Sequence, residues 1–175
     1  DWVVSACGHA HTSEEVSCPQ PAPLPPTAPN DYRVVPLPVE SPSHGARAIV
    51  NAPWALAPIA SPFGWHDTNG AAGAEFTITR GNNVYACEDA NADDVPGYSP
   101  TSATLDFDYP INAANAPSTY RDAAITNLFV QFNVMHDVFY RYGFDEVAGN
   151  FQSNNYGRGG AENDFVFADA QDGFT

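Results

Sequence analysis

Lysine is absent from this chain, and its six basic residues are all arginines. A phosphate-binding P-loop, a Schiff-base enzyme and a protein kinase each depend on a lysine, so these classes are excluded. The 21 acidic residues leave a formal net charge of -15, which opposes binding to nucleic-acid phosphates or to an anionic membrane surface. We therefore expect neither nucleic acid nor membrane as a partner, and cations as the natural small ligands.

Long apolar runs are also missing. No stretch approaches the roughly 20 apolar residues that cross a bilayer. The chain starts at Asp1 without the charged and apolar segments of a signal peptide. If the protein is exported, we expect its targeting segment to have been removed already.

Cysteine is scarce, with only Cys7, Cys18 and Cys87 in 175 residues. Cys7 and Cys18 close a short loop, which predicts a disulfide between them and an oxidising, extracellular compartment, with Cys87 left over. A competing interpretation joins the same two sulfurs with His9 and His11 in a zinc site, although this spacing matches no common zinc fold.

Three motifs of hydrolases and redox enzymes are missing: G-x-S-x-G, C-x-x-C and H-E-x-x-H. The segment "GRGG", residues 157–160, lacks the lysine of a phosphate loop and is typical of a flexible turn. The residues alone therefore predict no catalytic residue and no catalytic metal centre.

Proline marks the predicted domain boundary. Six prolines lie between residues 18 and 30, which is typical of an extended linker. The preceding "DWVVSA", residues 1–6, predicts a short strand. We expect residues 1–30 to form this strand plus linker, and residues 31–175 to form one folded domain.

Short strands dominate the prediction for residues 31–117. "EFTIT" (75–79) and "LDFDY" (105–109) alternate apolar and polar residues, which is the period of a half-buried strand. Asp106 and Asp108 then share one face, either as a cation or acid–base pair or as an ordinary solvated face. "DFVFADA" (164–170) predicts a further strand.

One long helix is predicted over residues 118–142, where apolar residues recur every three or four positions. Ser118 is the expected N-cap, and Gly143 is placed to end the helix in a left-handed conformation. The fold class is therefore α+β, a β-rich domain with one long helix.

His136 and Asp137 are adjacent on this helix, about 100° apart around its axis. This geometry predicts that they do not form a catalytic pair. We expect structural roles, with His136 on the apolar stripe and Asp137 beside it, bonded to a backbone group or an arginine. A metal or substrate role for His136 is the alternative.

An acidic segment, "CEDANADD" (87–94), offers several hard oxygen donors. The alternating Asp89, Asn91 and Asp93 have a spacing that lets their side chains converge on calcium. The glycine and closing glutamate of an EF-hand are missing, so a solvated acidic turn is the competing interpretation.

Four blocks of sequence, taken in order, resemble the fungalysin family of secreted zinc metallopeptidases. They are "YRVVPLPVESPSHGAR" (32–47), "ASPFGWHDTNG" (60–70), "TRGNNVYACED" (79–89) and the segment from "YRDAAITNLF" to "FADAQDG" (120–173). The first six residues are similar to the end of the family's propeptide, and residues 7–30 have no counterpart there.

The resemblance implies a thermolysin-like architecture, a β-rich N-terminal domain followed by a helical domain that binds zinc. The zinc ligands and the H-E-x-x-H motif would then lie outside this chain, which would be a non-catalytic N-terminal portion of a peptidase acting on extracellular proteins or peptides. It would also expose apolar surface that its partner domain covers.

Two other functions stay open at the level of sequence. The acidic loops are compatible with an extracellular, calcium-stabilised binding module without enzymatic activity. The propeptide-like start is compatible with an inhibitory or chaperone-like segment.

Overall fold

The computed structural model describes residues 30–173. This part contains five short strands and one long helix. The strands are β1 (Asp31–Val34), β2 (Ala48–Asn51), β3 (Val84–Glu88), β4 (Asp106–Phe107) and β5 (Val166–Ala170), and the helix is α1 (Arg121–Arg141). Two 3-10 turns, Pro53–Leu56 and Pro117–Tyr120, complete the regular structure.

The strands form two small sheets. In the first, β1 lies between β2, to which it is antiparallel, and β4, to which it is parallel. In the second, β3 and β5 run parallel along their full lengths. The predicted α+β class is confirmed, since one helix accompanies several short strands.

Helix α1 packs against β1, β3 and β5, and so joins the two sheets. The core between them is aromatic: the ring of Tyr32 stacks on that of Phe107 at 5.6 Å between centroids, and Phe129 contacts both Tyr32 and Trp65. These four side chains are almost completely buried. Such large side chains supply much of the apolar area that a domain of this size needs.

The long helix is confirmed, with a change at its start. Residues 117–120 form a 3-10 turn, and α1 begins only at Arg121. Ser118 is therefore not the N-cap; Tyr120 holds that position and makes no side-chain capping bond. Pro117 starts the tighter turn because its fixed φ suits a first helical position.

The predicted end of the helix is confirmed at Gly143. Its φ is +94°, and its N–H donates to the carbonyl of Tyr140 at 3.0 Å. Left-handed backbone at this position closes the last turn of α1.

Two of the strand predictions within the described residues match the structure, and one does not. Residues 164–170 contain β5, and in residues 105–109 Leu105 and Phe107 are buried while Asp106 and Asp108 are exposed. The strand predicted at 75–79 is wrong, because this segment makes a single isolated bridge, from Ile78 to Thr101. An alternating pattern does not form a strand without a neighbouring segment in register.

Several predictions lie outside the described residues: the strand at 1–6, the linker before residue 30, the Cys7–Cys18 disulfide and the zinc alternative with His9 and His11. Cys87 is a buried free thiol. Burial, more than any neighbouring group, raises its pKa to about 11, so it is protonated and unreactive at neutral pH. Among residues 30–173, α1 is too polar to count as a membrane span.

Candidate functional site

The C-terminal half of α1 holds a buried carboxylate, Asp137. Ser61 Oγ donates to its Oδ1 at 2.7 Å, and Trp65 Nε1 donates to its Oδ2 at 2.9 Å. All three residues are buried. Because both oxygens accept hydrogen bonds, the charge is compensated, and Asp137 fastens the segment around residues 61–65 to the helix.

His136 completes this arrangement. Its Nδ1 lies 3.1 Å from Asp137 Oδ1, and its Nε2 lies 3.4 Å from Asn150 Nδ2. An amide nitrogen can only donate, so Nε2 accepts and the ring proton is on Nδ1, which donates to Asp137.

The contact between His136 and Asp137 was not expected from their positions on the helix. The two side chains bend toward each other across the 100° between their Cα directions, and Asp137 is bonded to Ser61 and Trp65 rather than to backbone or arginine. Sequence spacing describes where a side chain leaves the helix and does not describe where its tip ends.

The three residue types of a Ser-His-Asp triad meet here in the wrong order. In a triad the serine donates to the histidine, whereas Ser61 donates to Asp137. His136 uses Nδ1 on Asp137 and faces an amide with Nε2, so neither ring nitrogen is placed to take the Ser61 proton. In the structure, Ser61 is therefore bonded to the carboxylate and not to the imidazole.

One turn further along α1, Tyr140 joins a second polar group. Its hydroxyl donates to Glu146 Oε2 at 2.8 Å, and Arg158 Nη1 donates to Glu146 Oε1 at 3.2 Å. Burial first, and then the bond to Glu146, raise the pKa of Tyr140 to about 12, so it stays a donor. Arg158, from the predicted 157–160 turn, also binds the carbonyl of Ile59 at 2.7 Å.

A third buried group lies at His66 and Asp67. Asp67 Oδ1 accepts from the Gly70 N–H at 2.9 Å and from the Tyr156 hydroxyl at 3.3 Å. Burial is the main cause that raises the Asp67 pKa to about 6, and Glu75 adds to it. Burial also lowers the pKa of His66 to about 4, so its imidazole is neutral near pH 7.

The acidic segment is held together by hydrogen bonds among its own residues. Asp89 accepts the backbone N–H groups of Asp93 and Asp94 at 3.2 and 3.0 Å, and Asn91 donates its amide to Asp93. The carboxylate oxygens that lie within 4.8 Å of one another belong instead to Asp89, Asp94 and Asp169. Calcium binding by Asp89, Asn91 and Asp93 stays a prediction.

Asp169 was missed because it is distant in sequence. The parallel register of β3 and β5 places it opposite Cys87, next to the start of the acidic segment. Parallel pairing of this kind has no local signal. The strand β5 lies within the predicted strand at 164–170, whereas β3 was not predicted.

The carboxylates of Asp106 and Asp108 have different surroundings. Arg33 forms two hydrogen bonds to Asp108, one of them Nη2 to Oδ2 at 3.0 Å. This bond to Arg33 lowers the pKa of Asp108. Asp106 is exposed beside it, which is the ordinary strand face and not an acid–base pair.

The residues of the described part do not fit a catalytic zinc site. Between residues 30 and 173, the one group of three His, Cys, Asp or Glu side chains close enough to share a metal is Asp89, Asp94 and Asp169. An all-carboxylate set suits calcium, whereas catalytic zinc in peptidases takes histidine nitrogens with one carboxylate. Both nitrogens of His66 and of His136 already have other neighbours.

The ordered sequence blocks, together with the α+β fold, point to a class of protein, the metallopeptidases. The family model described as Fungalysin metallopeptidase (M36) matches residues 31–175, and the chain belongs to this family. The resemblance noted from the sequence blocks is thereby confirmed.

Named relatives lie within fungi. The chain is 41% identical over 145 residues to "Probable extracellular metalloproteinase 2" of Arthroderma benhamiae, and the match covers 82% of this chain and 22% of the relative. It is 42% identical to "Extracellular metalloproteinase 2" of Arthroderma gypseum, with 82% and 22% covered. It is 43% identical to "Extracellular metalloproteinase 5" of Trichophyton rubrum, with 81% and 22% covered. The chain thus spans about a fifth of the length of these relatives.

Proposed function

We propose that this chain is the non-catalytic N-terminal portion of a secreted, zinc-dependent metalloendopeptidase that cleaves extracellular proteins. The family match over residues 31–175 carries the proposal. The names of the relatives, which are extracellular metalloproteinases, support both the activity and the secretion. The coverage of 22% of each relative leaves room for a separate metal-binding region.

Zinc in such a peptidase would be bound by residues outside this chain, where it would supply a Lewis acid for the scissile carbonyl and for a bound water. The part proposed for this chain is to build one wall of the substrate cleft on α1. The Asp137 bonds to Ser61 and Trp65 hold that wall together, and rigid support of this kind positions a substrate reproducibly.

Zinc analysis and a casein hydrolysis assay on the 175-residue chain test the non-catalytic part of this proposal. We expect less than a tenth of an equivalent of zinc after dialysis and no hydrolysis above a buffer blank. A full-length extracellular metalloproteinase of the family is the positive control. Stoichiometric zinc together with metal-dependent hydrolysis by the chain alone would contradict the proposal.

A calcium-stabilised binding module is the second candidate, and one observation favours it: the carboxylates of Asp89, Asp94 and Asp169 approach within 4.8 Å. Like charges this close repel one another, and calcium would relieve the repulsion. If calcium binds there, the thermal midpoint of unfolding rises with calcium in the unaltered chain and does not rise in Asp94→Asn. An unchanged midpoint in 5 mM calcium removes this candidate.

A further inference from the structure

Arg80 differs from the other arginines of this chain in its surroundings. Each of the other five donates to a carboxylate or to a backbone carbonyl: Arg33, Arg47, Arg121, Arg141 and Arg158. The guanidinium of Arg80 forms no hydrogen bond with the described residues, and its Nε is buried without a partner. Since the chain has no lysine, Arg80 is the one arginine or lysine whose charge is held without a protein oxygen in the described part.

Aromatic rings surround Arg80 instead of an acid. Its guanidinium carbon lies 4.3 Å from the ring centroid of Phe76 and 5.2 Å from those of Tyr85 and Phe165. All three distances are within the roughly 6 Å at which the face of a ring attracts a cation. The Phe167 ring lies 5.8 Å from the ring of Tyr85 and 5.0 Å from that of Phe165. We call these five side chains the Arg80 cluster.

The backbone that carries Arg80 is fixed by close contacts. Its N–H donates to the carbonyl of Ile78 at 2.7 Å, and its carbonyl accepts from His66 Nδ1 at 3.0 Å. The next residue, Gly81, has no room for a side chain, because a Cβ there would lie 1.6 Å from the carbonyl oxygen of Trp65. With rings packed around it as well, the guanidinium is preorganised, which lowers the entropy lost on binding a ligand.

Two acidic residues flank the Arg80 cluster in sequence, and both are engaged elsewhere. Glu75 accepts the Thr68 N–H at 2.6 Å. Asp164, just before β5, accepts the Gln152 N–H at 3.0 Å. Arg80 takes part in none of the ion pairs among residues 30–173. Its charge therefore stays available to an external anion.

The chemistry of the Arg80 cluster favours a carboxylate over other anions. The planar guanidinium carries paired N–H donors that match the two oxygens of a carboxylate. The formal net charge of -15 repels a phosphate, with nearly two negative charges, more strongly than a carboxylate with one. Phe167 is 54% exposed, so its ring is open to contact an apolar group on the ligand.

We propose that the Arg80 cluster is a binding site for a carboxylate attached to an aromatic group. Arg80 binds the carboxylate, and the exposed ring of Phe167 contacts the aromatic group. The site is independent of the proposed function, since it uses only residues of this chain and no catalytic step.

Nuclear magnetic resonance of the 15N-labelled, 175-residue chain tests the site. Six arginines give at most six Nε–H signals, and the signal that is missing from Arg80→Gln identifies Arg80. The probe is N-acetylphenylalanine at neutral pH. We expect the Arg80 signal to shift until saturation, with a Kd on the order of 1 mM. N-acetylphenylalanine amide has the same ring without the carboxylate and should leave this signal in place.

Two variants of Arg80 measure the part of the guanidinium, with the backbone N–H signal of Phe167 as the readout. Arg80→Gln removes the charge, and Arg80→Lys keeps the charge but lacks the paired donors. Both should raise the Kd at least fivefold. The matched control, Arg33→Gln, alters an arginine that is bonded to Asp108 and should change the Kd by less than twofold. Circular dichroism checks the fold, and Arg80→Lys carries the comparison if the glutamine variant is unfolded.

Three results would overturn the inference. The first is the absence of a saturable shift in the unaltered chain. The second is equal binding of the acid and its amide, because the rings alone then account for the binding. The third is an unchanged Kd in the Arg80 variants. Inorganic phosphate that binds more tightly than N-acetylphenylalanine would likewise contradict the preference for a carboxylate.

Discussion

At the scale of single residues, Asp137 accepts hydrogen bonds from Ser61, Trp65 and His136. None of these contacts is indicated by the local sequence pattern. Ser61 and Trp65 lie 76 and 72 positions away, so no local pattern pairs them with Asp137. His136 is adjacent, but its contact depends on side-chain rotamers that spacing does not specify. The structural role of His136 stays a prediction from the apolar stripe, and the stripe did not indicate that its ring would contact Asp137.

Replacing Asp137 with asparagine removes the charge and leaves one of the two acceptor oxygens. At least one buried donor then loses its partner, and we expect a loss of about 3 kcal/mol in the free energy of unfolding. Urea unfolding followed by circular dichroism measures the change. Asp106→Asn, at an exposed aspartate, is the control and should stay within about 0.5 kcal/mol. Equal midpoints for the two variants would contradict the role given to Asp137.

His66 and Asp67 are neighbours whose titrations act on stability in opposite directions. Asp67 has a folded pKa of about 6 against an ordinary 3.8, so its contribution is present at low pH and lost as the pH rises through 6. His66 has a folded pKa of about 4 against 6.5, so its contribution is present above 6.5 and lost as the pH falls through 4. Between pH 4 and 6 the two effects offset each other.

The substitution Asp67→Asn tests the contribution of the Asp67 ionisation to the pH dependence of stability. The variant removes the ionisation at 67 while keeping an acceptor for Gly70 and Tyr156. We expect the difference in unfolding free energy, variant minus unaltered chain, to increase from pH 4 to pH 6 and to level off above. Urea unfolding at pH 4.5 and pH 7.5 measures the difference, and Asp106→Asn, the same substitution at an exposed aspartate, is measured beside it. A difference independent of pH, or one that decreases, would refute the raised pKa of Asp67.

At the scale of elements, α1 was predictable and most strands were not. The helix is recognisable because its period of 3.6 residues is local and its end at Gly143 has a simple conformational cause. The segment 75–79 has an equally regular alternation, yet it makes only the Ile78–Thr101 bridge. A strand needs a partner in register, and the register depends on the rest of the chain.

Gly143→Ala tests the cap of α1. A Cβ at this position meets no atom within 4 Å, so the cost comes from the positive φ of +94° alone. We expect a loss of about 1 kcal/mol. Gly143→Asn should cost less, because asparagine tolerates a left-handed backbone better than alanine. Thermal unfolding compares the two, and an asparagine variant less stable than the alanine variant would contradict this explanation.

At the scale of the whole molecule, large apolar side chains on and just after α1 are exposed to water: Met135 and Phe139 are 47% and 49% exposed, and Tyr142 is 87% exposed. The exposed area of these side chains adds nothing to the stability of the described part, since hydrophobic stabilisation scales with the area removed from water. We expect a broad melt of the 175-residue chain with a midpoint below about 45 °C, the lower end of the usual range. Calorimetry measures it, and a sharp monomeric transition above about 65 °C would be incompatible with an incomplete core.

The family was accessible from sequence because four blocks occur in the expected order, and the match over residues 31–175 bears this out. The candidate site was less accessible. Asp89 was among the predicted calcium ligands, which stay a prediction, and Asp169 was not, because its place beside the acidic segment depends on the pairing of β3 with β5. The side of α1 that the strands cover was likewise not specified by the sequence pattern. Periodicity marks apolar positions without saying which of them meet a partner within the same domain.

The central proposal is that this chain is part of a zinc metalloendopeptidase whose catalytic residues lie elsewhere. Sequencing the messenger RNA downstream of the codon for Thr175 tests it most directly. We predict an open reading frame that continues into an H-E-x-x-H motif followed by a glutamate suited to be the third zinc ligand. A transcript that ends without this motif would contradict the account.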